Sequence, residues 1–149
     1  MITFKRTNST DDDFQNLVRL LDKDLAQKNG DKNDFFAQFN TIDLIKNVII
    51  AFENNQAVAC GAMKQYDSET MEIKRMFVLP SHRGRAIGYS ILSKLENWAL
   101  ELGFKKTVLE TGDKMTEAIS LYKKAGYEII PNYEPYINET SSICFNKIL

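Results

Sequence analysis

The stretch Val78–Leu92, VLPSHRGRAIGYSIL, sets Pro80, Arg83, Gly84, Arg85 and Gly88 between a strand-like apolar run and a helix-like one. Two glycines and two arginines at a strand-to-helix handover have two readings. One is a tight turn. The other is a cradle for phosphate, because a helix start has unpaired N–H groups and the positive end of a dipole, and small residues let the backbone approach a ligand. No Gly-Lys-Ser/Thr follows, which excludes a mononucleotide P-loop, and the spacing does not fit a dinucleotide-binding G-x-G-x-x-G.

Working outward, Met71 to Leu79 reads as a strand ending at Pro80, and a helix is predicted from about Gly84 to Leu102, closed by Gly103. Its apolar face is Ile87, Ile91, Leu95, Trp98 and Leu102. Upstream, Ile2–Arg6 alternates like an edge strand. Phe14, Leu17, Val18, Leu21 and Leu25 recur at helical spacing, starting after an Asp11-Asp12-Asp13 run that suits a helix N-terminus. Phe35 to Ile45 suggests a second helical region. Asn47–Phe52 and Ala57–Tyr66 read as a hairpin around Glu53-Asn54-Asn55-Gln56. Downstream come a strand at Lys106–Glu110, a helix at Thr116–Lys124 closed by Gly126, and strands at Tyr127–Ile130 and Ser142–Lys147. The order predicts an α/β (α+β) fold: a mixed, mostly antiparallel central sheet of about six to seven strands flanked by helices.

The chain has 149 residues, 44% hydrophobic and 26% charged, with a net charge of -1. That predicts one domain over residues 1–149. The absence of a basic excess argues against a nucleic-acid partner. Two cysteines, Cys60 and Cys144, and one histidine, His82, cannot make a convincing zinc site, so no metal is expected. Reduced cysteines, no signal-peptide core and no 18-residue apolar run point to a cytoplasmic protein without a membrane partner.

Two segments together carry a resemblance. MFVLPSHRGRAIGYSIL and EAISLYKKAGYEII are about 30 residues apart, separated by a strand. They resemble the GNAT (GCN5-related) N-acetyltransferase superfamily over roughly Val48 to Leu149. In that family the loop reads Arg or Gln, two residues, Gly, any residue, then Gly or Ala. The second segment fits its A-x-x-L-Y-x-x-x-G-Y/F pattern at Ala118, Leu121, Tyr122, Gly126 and Tyr127. The resemblance implies the acyl-CoA N-acyltransferase fold, with acetyl-CoA as cosubstrate. Its pyrophosphate would lie on the loop Arg83, Gly84, Arg85, Ala86, Ile87 and Gly88. Its pantetheine arm would pair like an added strand with the backbone of Met76, Phe77 and Val78, where an N–H would also meet the developing oxyanion.

Two positions depart from the pattern. Ala86 stands where the first Gly is usual. A left-handed backbone costs alanine roughly 1–2 kcal/mol, so a right-handed conformation is predicted there. Met115 stands where many members carry a cofactor-contacting Asn.

The reaction implied is direct attack of an amine on the thioester within a ternary complex. It needs a base for the ammonium, an oxyanion donor, and an acid for the leaving thiolate. Tyr122 occupies the family's acid position, and a phenol with an ordinary pKa of ~10 suits a thiolate of ~8.5; from the residues alone, a core tyrosine packed on the sheet is the plain reading. Glu72 is the leading base, placed by strand alternation on one face with Lys74 and Met76. Glu110 is the second candidate, and an exposed Glu beside Lys74 is the plain reading of Glu72.

Acceptor sites in the family form from the first helical region and the loop between the last two strands. Phe35, Phe36, Phe39, Tyr133 and Tyr136 would then wall the site, with Phe36 and Tyr133 as the leading contacts. Asp34, Asp43, Glu134 and Glu139 would attract an ammonium. The three phenylalanines also fit a core role. The implied partner is an amine-bearing acceptor, small molecule or peptide; a homodimer stays open, as does a longer acyl donor. The alternative function is a non-catalytic acyl-CoA-binding or sensing module.

Overall fold

The computed structural model describes residues 1–30 and 44–149. The expected helical region from Phe35 to Ile45 lies almost wholly outside them. Among the described residues, the chain runs β1 (Ile2–Thr7), α1 (Asp12–Asn29), β2 (Asn47–Glu53), β3 (Gln56–Gln65), β4 (Thr70–Val78), a 3-10 turn (Pro80–His82), α2 (Ile87–Glu101), β5 (Lys106–Gly112), α3 (Thr116–Lys124), β6 (Glu128–Ile130) and β7 (Ser142–Ile148).

The strands form one seven-stranded sheet in the order β1-β2-β3-β4-β5-β7-β6. All neighbours are antiparallel except β4 and β5. The predicted mixed, mostly antiparallel sheet is what forms. The turn between β2 and β3 places Asn54 and Asn55 at φ 52° and 65°, the left-handed pair a two-residue hairpin needs and Asn tolerates.

Each face of the sheet carries a helical layer. On one side, Phe14, Leu17, Val18 and Leu21 of α1 bury against Val48, Ile50, Cys60, Ala62 and Phe77. Asp11 caps α1, accepting from the N–H groups of Asp13 (2.9 Å) and Phe14 (3.3 Å), which is why the helix starts at the acidic run. On the other side, Ile87, Ile91, Leu92 and Leu95 of α2, with Tyr122 of α3, pack on Ile49, Met63, Ile73, Leu109 and Phe145. Both cysteines are free and buried, and burial pushes the Cys60 thiol up to about 12 and that of Cys144 to about 11.

Two features of β4 differ from simple alternation. Cys60 pairs with Phe77 and Ala62 with Lys74, so Gly61 faces two residues, Arg75 and Met76. This is a bulge, and Arg75 takes φ 59° to make it. The extra residue flips the following side chains. Glu72, Lys74 and Arg75 keep to the α1 face, where Arg75 Nη1 meets Asp22 of α1 at 2.8 Å. Met76 turns to the α2 face and packs on that core, against the expectation that it shares a face with Glu72. Gly61 permits this, since a Cβ there would sit 2.5 Å from Met76 Sδ.

The second feature is the pairing with β5. It covers only Thr70↔Lys106, Met71↔Thr107 and Glu72↔Val108. Beyond Glu72 the two strands separate, and among the described residues the β5-facing edge of β4 has no strand partner.

Candidate active site

The loop after β4 does not run straight into helix. Pro80–His82 forms a 3-10 turn, with His82 N–H bonded to Leu79 O at 2.9 Å. Gly84 then takes φ 78°, and Ala86, as N-cap, takes φ 61°, ψ 19°. The helix therefore starts at Ile87, three residues later than predicted, and the right-handed backbone predicted at Ala86 is corrected to a left-handed one. The physical reason is directional. The chain has to reverse between the 3-10 turn and α2 while Ala86 O accepts from Ser90 N–H at 3.0 Å, and the left-handed step does both. Among the described residues no side chain caps α2, and the N–H groups of Ile87, Gly88 and Tyr89, in its first turn, have no helical partner.

Those residues line an open groove of about 890 Å³. One wall is Met76, Phe77 and Val78 at the unpaired edge of β4. The floor is Gly84, Ala86, Ile87 and Gly88. The far wall is α3, from Met115 to Lys124 and including Tyr122. Arg83 also lines it, its Nε donating to Val78 O at 3.0 Å and its guanidinium 5.7 Å from the Phe77 ring. Arg85 does not. Its guanidinium bonds Glu53 on the β2–β3 hairpin, 3.1 Å from Nη1 to Oε1, so the structure sets it behind the loop rather than in the groove. His82 lies between Ser81 Oγ (2.8 Å) and the same Glu53 oxygen (3.1 Å). Lys28 and Lys124 join the groove lining. No local pattern marked them, since a lysine in the last turn of a helix suits the dipole without any ligand.

Where β4 and β5 separate, a cavity of about 110 Å³ opens, lined by Glu72, Lys74, Glu110, Tyr122 and Tyr136, with Leu21 and Leu25 of α1. Tyr122 borders both cavity and groove. It is also a core residue, its ring 6.0 Å from Tyr127 and 5.9 Å from Phe145. Burial pushes its hydroxyl pKa up, and the charge of Glu110 pushes it further.

The structure brings Glu72 and Tyr133 together: Tyr133 Oη donates to Glu72 Oε2 at 2.8 Å, and Lys74 Nζ lies 3.7 Å from Oε1. Tyr66, Tyr133 and Tyr136 form an edge-on chain of rings, 5.1 and 5.8 Å between centroids. Ser142, at the start of β7, donates to Glu110 Oε2 at 2.7 Å. Burial raises the Glu110 carboxyl to about 7. Glu139 turns its carboxylate to the N–H and hydroxyl of Ser141, and Glu134 is exposed. Asp34, Phe35, Phe36, Phe39 and Asp43 lie outside the described residues.

Among the described residues, no cluster of His, Cys, Asp and Glu could hold a metal ion, and no helix is long and apolar enough to cross a membrane.

The chain is similar to known proteins over its full length. It is 29% identical to an "IAA acetyltransferase" of Azospirillum brasilense, over 99% of this chain and 98% of that one. It superposes on a Klebsiella pneumoniae protein described as an acyl-CoA N-acyltransferase with a TM-score of 0.83, at 29% identity, covering 100% and 98% of the two chains. A GNAT family acetyltransferase of Elizabethkingia anophelis, solved with acetyl-CoA bound, shares the fold at a TM-score of 0.71 and 24% identity, over 99% and 98%. Residues 14–127 match the sequence profile of the acetyltransferase (GNAT) family, and the chain belongs to that family.

Proposed function

We propose that the protein is an acetyl-CoA-dependent N-acetyltransferase acting on a primary amine of a small molecule or peptide, by direct attack within a ternary complex. One observation carries this reading: the open edge of β4 and the uncapped start of α2 line a single groove that ends at Tyr122, beside a cavity holding two carboxylates.

In this reading the N–H groups of Ile87, Gly88 and Tyr89 hold the pyrophosphate, with Arg83 and Lys124 adding positive charge. The free edge of β4 from Met76 to Val78 holds the pantetheine arm through main-chain bonds. That aims the thioester at Tyr122 and the cavity. The amine enters from the carboxylate side as an ammonium and gives a proton to a carboxylate, Glu72 or Glu110. It then attacks the thioester carbonyl, forming C–N and breaking C–S. Tyr122 protonates the thiolate and regains a proton from the nitrogen of the new amide. The Klebsiella relative's description and the acetyl-CoA in the Elizabethkingia structure agree with this donor.

Calorimetry with acetyl-CoA, followed by a thiol-release assay over a panel of amines, tests it. Binding with amine-dependent release supports the transferase. Binding without release for every amine supports instead a non-catalytic acyl-CoA-binding module. Absence of binding removes both.

A further inference from the structure

The cavity between β4 and β5 is lined by charges of both signs: Glu72 and Glu110, and with them Lys74 and Arg75. Regular alternation would send Lys74 and Arg75 to opposite faces of the sheet. The bulge opposite Gly61, with Arg75 at φ 59°, keeps both on the α1 face. Both side chains are withdrawn from solvent, Lys74 to 15% exposure and Arg75 to 2%. Asp22 holds Arg75 Nη1 at 2.8 Å, while the buried Nε of Arg75 has no hydrogen-bond partner among the described residues. Lys74 Nζ lies 3.7 Å from Glu72 Oε1, an ion pair rather than a hydrogen bond.

We infer that the acceptor is a small amine that also carries a carboxylate, an amino acid or a close analogue, and that Lys74 sets this specificity by holding the carboxylate while Glu72 and Glu110 face the ammonium. This rests on the transferase reading and narrows its acceptor. A site for a plain amine gains nothing from a half-buried ammonium set beside its carboxylates. Like charges a few ångströms apart in a partly buried site repel, and withdrawing the lysine from water has its own cost. A carboxylate on the acceptor reverses the first effect and offsets the second. The transfer step is unchanged: Lys74 takes no proton in it, and the products are the N-acetylated amino acid and free coenzyme A.

Charge and size point the same way. Among the described residues that line the cavity, two carboxylates stand with two cations. A zwitterion, itself neutral, leaves that balance as it is, whereas a polyamine would add two or more positive charges. At about 110 Å³ the cavity is smaller than the roughly 300–1,000 Å³ of sites for drug-sized ligands, which suits an acceptor of amino-acid size over a peptide chain.

Thiol release with three matched series tests this: amino acids of varied size and amine-to-carboxylate spacing, the amide of each, and the alkylamine of each that lacks the carboxylate. For wild type, kcat/KM for the best amino acid is expected to exceed that for its own amide and alkylamine by roughly tenfold or more, the scale of a charge-assisted hydrogen bond. Lys74→Gln should bring that ratio to within threefold, raising KM for the amino acid more than it lowers kcat, while the alkylamine changes far less. Lys74→Arg should keep the preference. Acetyl-CoA affinity by calorimetry reports that each variant is folded. A wild type that uses the amide or the alkylamine as well as the amino acid overturns the inference while the transferase reading stands, and needs no variant to do so. A preference kept in Lys74→Gln also overturns it, as does an equal loss for all three series, which would show the lysine acting only through Glu72. A wild type that releases no thiol with any amine overturns the transferase reading and this one with it.

Discussion

Arg85 donates to both carboxylate oxygens of Glu53, its Nη1 3.1 Å from Oε1. The pair fastens the loop that opens α2 to the β2–β3 hairpin, and His82 bonds the same carboxylate. Glu53→Gln is expected to weaken acetyl-CoA binding by roughly two- to fivefold, the scale of an exposed ion pair, with kcat held. Titration calorimetry beside steady-state kinetics measures both; equal binding by variant and wild type would show that the loop holds its shape without the pair.

The same pair sets an acid limit. Hydrogen bonding from Arg85, opposed by partial burial and aided by His82, holds the Glu53 carboxyl down at about 2. A lowered carboxylate pKa stabilises the fold above the unfolded value of about 4.5, and that contribution is lost as pH falls toward 2. Wild type should therefore lose stability faster than Glu53→Gln between pH 4.5 and 2, as followed by thermal melts in a pH series.

Glu110 acts in the opposite sense. Its carboxyl is raised from the ordinary 4.5 to about 7, so its contribution is fully present below pH 4.5 and lost as pH rises through 7. Keeping a charged Glu110 in place costs on the order of 3 kcal/mol at pH 8. Glu110→Gln should gain stability over wild type between pH 5 and 8, measured by urea unfolding, and a constant difference across that range would contradict the raised pKa.

Tyr122→Phe keeps the ring against Tyr127 and Phe145 and removes only the hydroxyl. Turnover should fall roughly 10²-fold, with acetyl-CoA affinity and melting temperature close to wild type. Single-turnover kinetics isolate the chemical step, and an unchanged rate there would take Tyr122 out of the mechanism.

Gly61 faces the bulge that turns Met76 toward α2. A methyl there would stand 2.5 Å from Met76 Sδ, 2.7 Å from Ile91 Cγ2 and 3.0 Å from Leu95 Cδ1. Gly61→Ala should destabilise by about 1–3 kcal/mol, and since Met76 lines the groove, acetyl-CoA binding should weaken with it. Denaturant midpoints and calorimetry on one preparation read both. At Ala86 the sign reverses: Ala86→Gly relieves a left-handed alanine worth roughly 1–2 kcal/mol, partly offset by the extra freedom of the unfolded glycine, for a net gain of about 1 kcal/mol or less.

What the sequence determined by itself was local. The alternation of Ile2–Arg6, the 3.6-residue recurrence from Phe14 to Leu25, the Asn54-Asn55 turn and the helix Thr116–Lys124 each depend on residues a few positions apart, and all form where expected. The segments around Arg83–Gly88 and Leu121–Tyr127 were enough to indicate the family. Tertiary structure decided what depends on distant partners. The bulge at Arg75 needs Gly61 on the neighbouring strand. The left-handed turn at Ala86 answers the path between two packed elements, against the preference of alanine itself. Glu110 meets Ser142 across 32 residues, Arg85 meets Glu53 across 32, and Glu72 meets Tyr133 across 61. Local preference sets the strands and helices because it acts through neighbouring dihedrals and side chains. Which side chains share the cavity, and which arginine faces the groove, is settled only when the sheet closes and burial selects the partners.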